Sequence, residues 1–130
     1  MNSKAIGEVS EAKIIARLLE KGYSVALPFG DNQRYDILLV EGNKAVRIQC
    51  KTGSYYRGGI SFNTCSHNPF TSLKKYYYED IDLFMVYHPE TGKVYKVPIE
   101  GCPKGVMRLR TDAVKNGQHK KIRFACDYEF

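Results

Sequence analysis

Arg34-Tyr35-Asp36-Ile37-Leu38-Leu39-Val40-Glu41-Gly42-Asn43-Lys44-Ala45-Val46-Arg47-Ile48-Gln49-Cys50-Lys51 reads as two strands, Tyr35 to Val40 and Ala45 to Lys51, joined by a tight turn at Glu41 to Lys44. Such a hairpin sets the acid Asp36 beside the amide of Gln49 and the ammonium of Lys51. Side chains alternate along a strand, so Gln49 and Lys51 project to one side and Cys50 to the other. A metal site for phosphate chemistry needs that arrangement.

Outward from the hairpin, Ser3 to Lys21 carries Ile6, Val9, Ile14, Ile15, Leu18 and Leu19 in a helical rhythm closed by Gly22. Glu8 and Glu11 sit on this helix three positions apart, about 60° around its axis, so both can face one site. Glu11 lies nearer the apolar stripe and is the better candidate to complete the hairpin's cluster. Glu8 is the secondary one, equally suited to a solvated acid near a helix start. Tyr23 to Pro28 reads as a strand and Phe29 to Gln33 as a loop. Gly53 to Gly59 reads as an aromatic loop, Ile60 to Asn63 as a short strand, and Thr71 or Ser72 as the cap of a short helix through Tyr78. Ile81 to Tyr87 and Val94 to Pro98 make a second apolar pair around Pro89-Glu90-Thr91-Gly92.

The chain's 130 residues suit one domain with a real core, and no linker or repeat divides residues 1–130. Lys and Arg number 20 against 14 acids, a net charge of +6 that suits a polyanionic partner. No stretch approaches the roughly 18 consecutive apolar residues of a membrane span, so no membrane partner is expected. Met1 to Gly7 lacks the features of a secretory signal, and the expected compartment is cytoplasmic, or wherever the host DNA resides. Cys50, Cys65, Cys102 and Cys126 contain no Cys-x-x-Cys pair and read as free thiols. Cys65-Ser66-His67 with His88 and Cys102 matches no regular zinc spacing. His67, His88 and His119 have no recognisable catalytic partners. Tyr55-Tyr56 and Tyr76-Tyr77-Tyr78 are expected mostly in the core or in subunit packing rather than stacked on bases.

Gly7-Glu8 to Glu11 on an opening helix, then Tyr35-Asp36, then Gln49-Cys50-Lys51, resembles the nucleases of the PD-(D/E)XK superfamily, and more closely the small homing endonucleases of that superfamily encoded within group I introns. Pro28-Phe29-Gly30-Asp31-Asn32, Asp82-Leu83-Phe84-Met85-Val86-Tyr87, Arg108-Leu109-Arg110, Asn116-Gly117-Gln118 and Ala125-Cys126-Asp127-Tyr128 extend the resemblance over most of the chain. Two positions depart from the superfamily pattern. Tyr35 stands where proline is expected, a position that supplies no ligand. Gln49 stands where an acid is expected; its amide oxygen still suits Mg²⁺, a hard cation, but the site carries one negative charge fewer.

The resemblance implies an α/β fold with a restriction-endonuclease-like core, a mixed twisted β-sheet flanked by helices. It implies Mg²⁺, with Mn²⁺ able to substitute, held by Asp36, the Gln49 side-chain oxygen, the Cys50 carbonyl and Glu11. Lys51 would orient the attacking water or stabilise developing charge, making Glu11, Asp36, Gln49 and Lys51 the catalytic set. The implied partner is double-stranded DNA, cut by a homodimer or homotetramer because one such domain cuts one strand.

Between Lys104 and Arg123, seven basic residues (Lys104, Arg108, Arg110, Lys115, Lys120, Lys121, Arg123) accompany one acid, Asp112, a stretch suited to phosphate contacts. Arg34, Arg57, Lys74 and Lys75 extend that footprint around the motif. Three functions fit: a sequence-specific homing endonuclease making double-strand breaks, a resolvase of branched DNA like the Holliday junction resolvases, and a DNA-binding protein that has lost catalysis. The first is favoured. Resolvases normally carry an acid where Gln49 stands, and retention of Asp36 and Lys51 argues against the third.

Overall fold

Asn2 starts the first helix by accepting the Ala5 amide on its side-chain oxygen at 2.9 Å, satisfying one of the amides a helix start leaves unpaired. In the computed structural model, which describes residues 1–67, 70–113 and 122–130, helix α1 runs Ser3–Glu20 and stops where Gly22 takes φ +85°. Its buried side chains, Ser10, Ile14 and Leu18, follow the expected helical spacing. No helix among the described residues is long and apolar enough to cross a membrane.

The strands in chain order are β1 (Ser24–Ala26), β2 (Ile37–Glu41), β3 (Lys44–Thr52), β4 (Ser54–Tyr56), β5 (Gly59–Asn63), β6 (Cys65–His67), β7 (Lys74–Tyr76), β8 (Leu83–His88), β9 (Lys93–Pro98) and β10 (Val106–Arg110). Five of them form the main sheet in the order β1-β2-β3-β8-β9. The β3–β8 pair is parallel and the other three are antiparallel, so the sheet is mixed. Gly42, with φ +62°, opens the two-residue turn that sets Glu41 opposite Lys44 and Ile37 opposite Ile48.

The sheet carries a core on each face. Ile14 and Leu18 of the helix pack against Ile37, Leu39, Ile48, Met85 and Tyr87 on one side. On the other, Phe84, Val86, Tyr95 and Val97 meet Ile60, Phe62, Met107 and Leu109 of a second, three-stranded sheet ordered β10-β5-β4. All six residues of β8 are buried, as a strand covered on both faces requires.

The mixed α/β sheet is as expected, flanked among the described residues by one α-helix, with the β10-β5-β4 sheet covering the face opposite α1. Two local expectations are corrected. The short helix proposed from Thr71 or Ser72 through Tyr78 is instead strand β7 and its flanks, with β7 paired to β6. Ser72 takes φ +58°, outside the helical region, and burial alternates with Tyr77 in and Tyr76 and Tyr78 out, a period of two. The loop read over Gly53 to Gly59 also contains β4, which forms a hairpin with β5.

Gly53 joins β3 to β4. Its amide donates to Tyr87 O at 2.8 Å, and a Cβ there would stand 2.5 Å from Ile60 Cγ2 and 3.0 Å from Val86 Cγ1. The strand therefore passes from one sheet to the other where only glycine fits. Gly53→Ala should destabilise the protein by about 1–3 kcal/mol through overpacking, read as a lower denaturation midpoint with the m-value unchanged.

Candidate active site

Asp36 precedes β2 by one residue and is fixed to β3 twice. Its amide donates to Ile48 O at 2.7 Å, and its carboxylate accepts the Cys50 amide at 2.9 Å. The hairpin register makes this inevitable: with Ile37 opposite Ile48, the next residue back meets Gln49 and Cys50. Alternation holds as the sequence requires. Cys50 packs with the helix-side core, while Lys51 lies on the other face against Tyr77.

Lys51 Nζ lies 3.4 Å from Tyr77 Oη and 4.8 Å from the centre of its ring. Tyr77 is 5% exposed and edge-on to Phe84, so the phenol is a fixed wall for the ammonium. The Arg34 guanidinium lies 3.9 Å from the same ring. It is held there by Asp80 at 2.9 Å, Ser66 Oγ at 2.7 Å and the Tyr76 carbonyl at 2.5 Å. Arg34 thus braces Tyr77 from within the molecule.

From α1, half-buried Glu11 faces Asp36 across an open cleft of about 350 Å³ that Asp31, Gln33 and Tyr35 also line. Burial raises the Glu11 carboxyl above its ordinary range, and the charges of Asp36 and Glu8 raise it further. Burial also raises Asp36, against the lowering pull of the Cys50 amide and of Lys51. The Cys50 thiol is pushed well up by burial, then by Asp36 and Glu11, so it stays protonated beside the two acids.

Asp36 lies within electrostatic reach of Glu11 on one side and of Lys51 on the other, and Glu8 is exposed on the helix beside Glu11. Gln49 is half-buried on the Lys51 face, in register with Phe84. Arg57, Lys74, Lys75 and Arg108 are exposed, and Arg110 is half-buried with its guanidinium on the Ala113 carbonyl. Lys115, Lys120, Lys121 and His119 lie outside the described residues. Sequence reading missed Asp31, Gln33 and Tyr77. The first two sat in a segment read only as a loop, and the role of Tyr77 depends on a pairing of β6 with β7 that local periodicity does not reveal. Among the described residues, no three His, Cys, Asp or Glu side chains converge as a metal cage. Of the cysteines and histidines weighed for zinc, Cys102 Sγ donates to Pro98 O and His88 bonds Thr91.

A family model described as PD-(D/E)XK endonuclease matches residues 1–130. Among solved structures, that of a bacterial homing endonuclease, I-Ssp6803I, aligns with a TM-score of 0.76 at 20% identity, covering 99% of this chain and 89% of that one. At that identity the likeness speaks for the fold. No curated protein matches in a sequence comparison.

PD-(D/E)XK nucleases generally use divalent metal ions, and the donor set here suits one. Two carboxylates held close in a half-buried cleft raise each other's energy when ionised, and a hard cation with oxygen preference relieves that. The sign follows: a carboxyl whose folded pKa exceeds its unfolded value weakens the folded state once ionised. That effect is absent below the unfolded pKa and full above the folded one. Mg²⁺ should therefore raise the melting temperature at pH 7.5 and leave it unmoved at pH 4. Asp36→Asn should abolish the Mg²⁺ response and raise the metal-free midpoint at pH 7.5 by on the order of 1–2 °C. A midpoint indifferent to Mg²⁺ at both pH values would sink this account of the acids.

Proposed function

The chain belongs to the PD-(D/E)XK endonuclease family, and from that premise we propose that this nuclease is a Mg²⁺-dependent, sequence-specific DNA endonuclease of the homing type. Residues 1–130 act as one catalytic domain, and two or four copies together make a double-strand break. The observation that carries this reading is the convergence of Glu11 from α1 and Asp36 from the start of β2 with Lys51 of β3. The fold shared with a bacterial homing endonuclease along nearly the whole chain supports it.

Asp36, the Gln49 side-chain oxygen, the Cys50 carbonyl and Glu11 would hold the ion. Once bound, Mg²⁺ lowers the pKa of a coordinated water and offsets charge on the phosphate. The protein's own contribution is position. The Cys50 amide fixes which Asp36 oxygen remains free to face the cleft. A strand residue presents its N–H and C=O to the same side, so the Cys50 carbonyl faces the side where Asp36 lies. Lys51, braced on Tyr77, directs its ammonium at the negative charge that develops on the phosphate. Glu11 and Asp36 share a strained ionisation that draws a cation in.

Gln49 sets the affinity. With an amide in place of an acid, the site has one negative charge fewer and depends more on the substrate phosphate as a co-ligand. Arg34, Arg57, Lys74, Lys75, Arg108, Arg110, Lys115, Lys120 and Lys121 are the basic residues from which the DNA-binding surface is drawn. Among these, Arg34 acts through the brace on Tyr77.

The test is incubation with Mg²⁺ and either a linear duplex library or a synthetic four-way junction. Site-limited duplex breaks are expected, reduced on the order of 100- to 1,000-fold by Lys51→Ala with binding retained. Gln49→Glu should lower the Mg²⁺ concentration needed for half-maximal cleavage. Cutting confined to the junction would establish a resolvase instead, and binding of both substrates without cutting would establish an inactive DNA-binding protein.

A further inference from the structure

The β4–β5 hairpin directly follows the strand that carries Gln49 and Lys51, and among the described residues its outward side chains belong to neither core cluster. Burial alternates along β10, with Met107 and Leu109 inside and Val106 and Arg108 exposed. Register places Arg108 opposite Ser61, Ser61 opposite Ser54, and Tyr56 opposite Gly59. The outward face therefore carries Ser54, Ser61 and Asn63, the exposed Val106, Tyr56, and the two arginines Arg108 and Arg110, of which Arg110 is half-buried with its guanidinium on the Ala113 carbonyl.

Tyr56 and Arg108 are joined by design of the strand between them. Gly59 of β5 has no side chain, and a Cβ there would stand 2.7 Å from Arg108 Cγ. The Arg108 stem crosses β5 through that gap, and its guanidinium reaches 5.3 Å from the centre of the Tyr56 ring. Arg57, at the hairpin tip with φ +45°, approaches the same ring at 5.1 Å. Neither guanidinium forms an ion pair among the described residues. The hairpin tip is in turn pinned from behind. The amides of Thr111 and Asp112 both donate to Gly58 O at 3.0 Å, and Tyr55 Oη donates to Asp112 at 2.6 Å.

We propose that this hairpin enters the major groove of B-form DNA, with Arg108, laid across Gly59 onto Tyr56, reading a base edge and Arg57 at the tip contacting phosphate. The proposal rests on the endonuclease reading above and assigns that enzyme its sequence reader. The β4–β5 hairpin forms one edge of the β10-β5-β4 sheet, whose outward face can be laid along a groove about 12 Å wide, and an arginine fork held in one orientation is the usual partner of guanine O6 and N7. The aromatic platform holds the fork before binding, so less side-chain freedom is lost on contact. Two neighbouring cations without carboxylate partners complement a phosphate backbone. The deep, narrow major groove of A-form RNA does not admit such a ribbon.

Strand geometry also fixes the reach. From Lys51 to Tyr56 the chain advances five residues, at most about 17 Å and thus about five base pairs from the cut phosphate. The reader and the cutting site are one covalent strand apart.

The experiment is a cleavage selection in Mg²⁺ from a randomised linear duplex library, with the cut products sequenced for the wild type and for Arg108→Ala. Arg108 is exposed and outside the catalytic cluster, and the variant's melting temperature checks its fold. The wild type should show base preference within about five base pairs of the cut. Arg108→Ala should lose on the order of 5- to 100-fold preference at one or two of those positions, keeping the others. Two results overturn the proposal while leaving the endonuclease reading intact: an unchanged preference profile, or uniform weakening across all sequences. A wild-type protein that cuts no duplex overturns the endonuclease reading and the proposal together.

Discussion

The hydrogen bond from the Cys50 amide to the Asp36 carboxylate, 2.9 Å long, is the contact on which the site depends. It lies just past the last rung of the β2–β3 ladder, where a carboxylate takes the part a backbone carbonyl plays elsewhere in the sheet. One oxygen of Asp36 is spent on the strand, and the other is aimed. Burial there raises the Asp36 carboxyl against the lowering pull of the Cys50 amide and Lys51, and the charge of Asp36 in turn raises Glu11 on the helix, after burial, the largest cause there. The same contact thus joins fold to chemistry: without the hairpin register no acid would stand at Gln49-Cys50-Lys51, and without the acid the end of β2 would leave a strand amide unpaired.

The lysine side of the site is built by a different part of the molecule. Lys51 rests on Tyr77, which Arg34 braces, and Arg34 in turn gathers Asp80, Ser66 and the Tyr76 carbonyl. The short β6–β7 pair therefore serves to hold one phenol in place. Glu11 and Cys50 lie on the helix side of the main sheet, whereas Lys51 belongs to the side covered by β10-β5-β4. The candidate cleft, lined by Glu11 and Asp36, opens where β2 begins.

What was legible in the sequence follows from range. The helix, the β2–β3 hairpin and the β8–β9 pair are signalled by local periodicity and by turns such as Gly42-Asn43, and they appear close to the expected bounds. Asp36, Gln49 and Lys51 were legible because a hairpin makes neighbours of residues close in sequence. Glu11 was set apart from Glu8 in the sequence by its nearness to the apolar stripe; in the structure it is half-buried, with Asp36 among the charges acting on it, while Glu8 is exposed. β10 and the sheet it forms opposite α1 were not legible, because their partners are far away in the chain. Arg108 meets Ser61 across a separation that no local pattern encodes. Three adjacent tyrosines offered no period at all until Tyr77 was seen to be buried between two exposed neighbours.

Gln49 looks like a loss when the motif is read as a line of letters, but the electrostatics of the folded site give it another sense. Glu11 and Asp36 already raise the cost of ionisation in a cleft that Asp31 also lines. A third carboxylate in contact would add repulsion that only a bound cation could offset, making the empty site less stable. An amide keeps the oxygen donor and omits that repulsion. Under the proposed function, the cation would be held firmly only when a phosphate completed its shell, so that substrate binding and metal binding would reinforce each other. Such coupling would suit the sequence-specific cutting proposed above. β3 continues into β4 by turning at Gly53, so under the proposed function the residues that would cut and the hairpin proposed to engage DNA lie along one segment of chain.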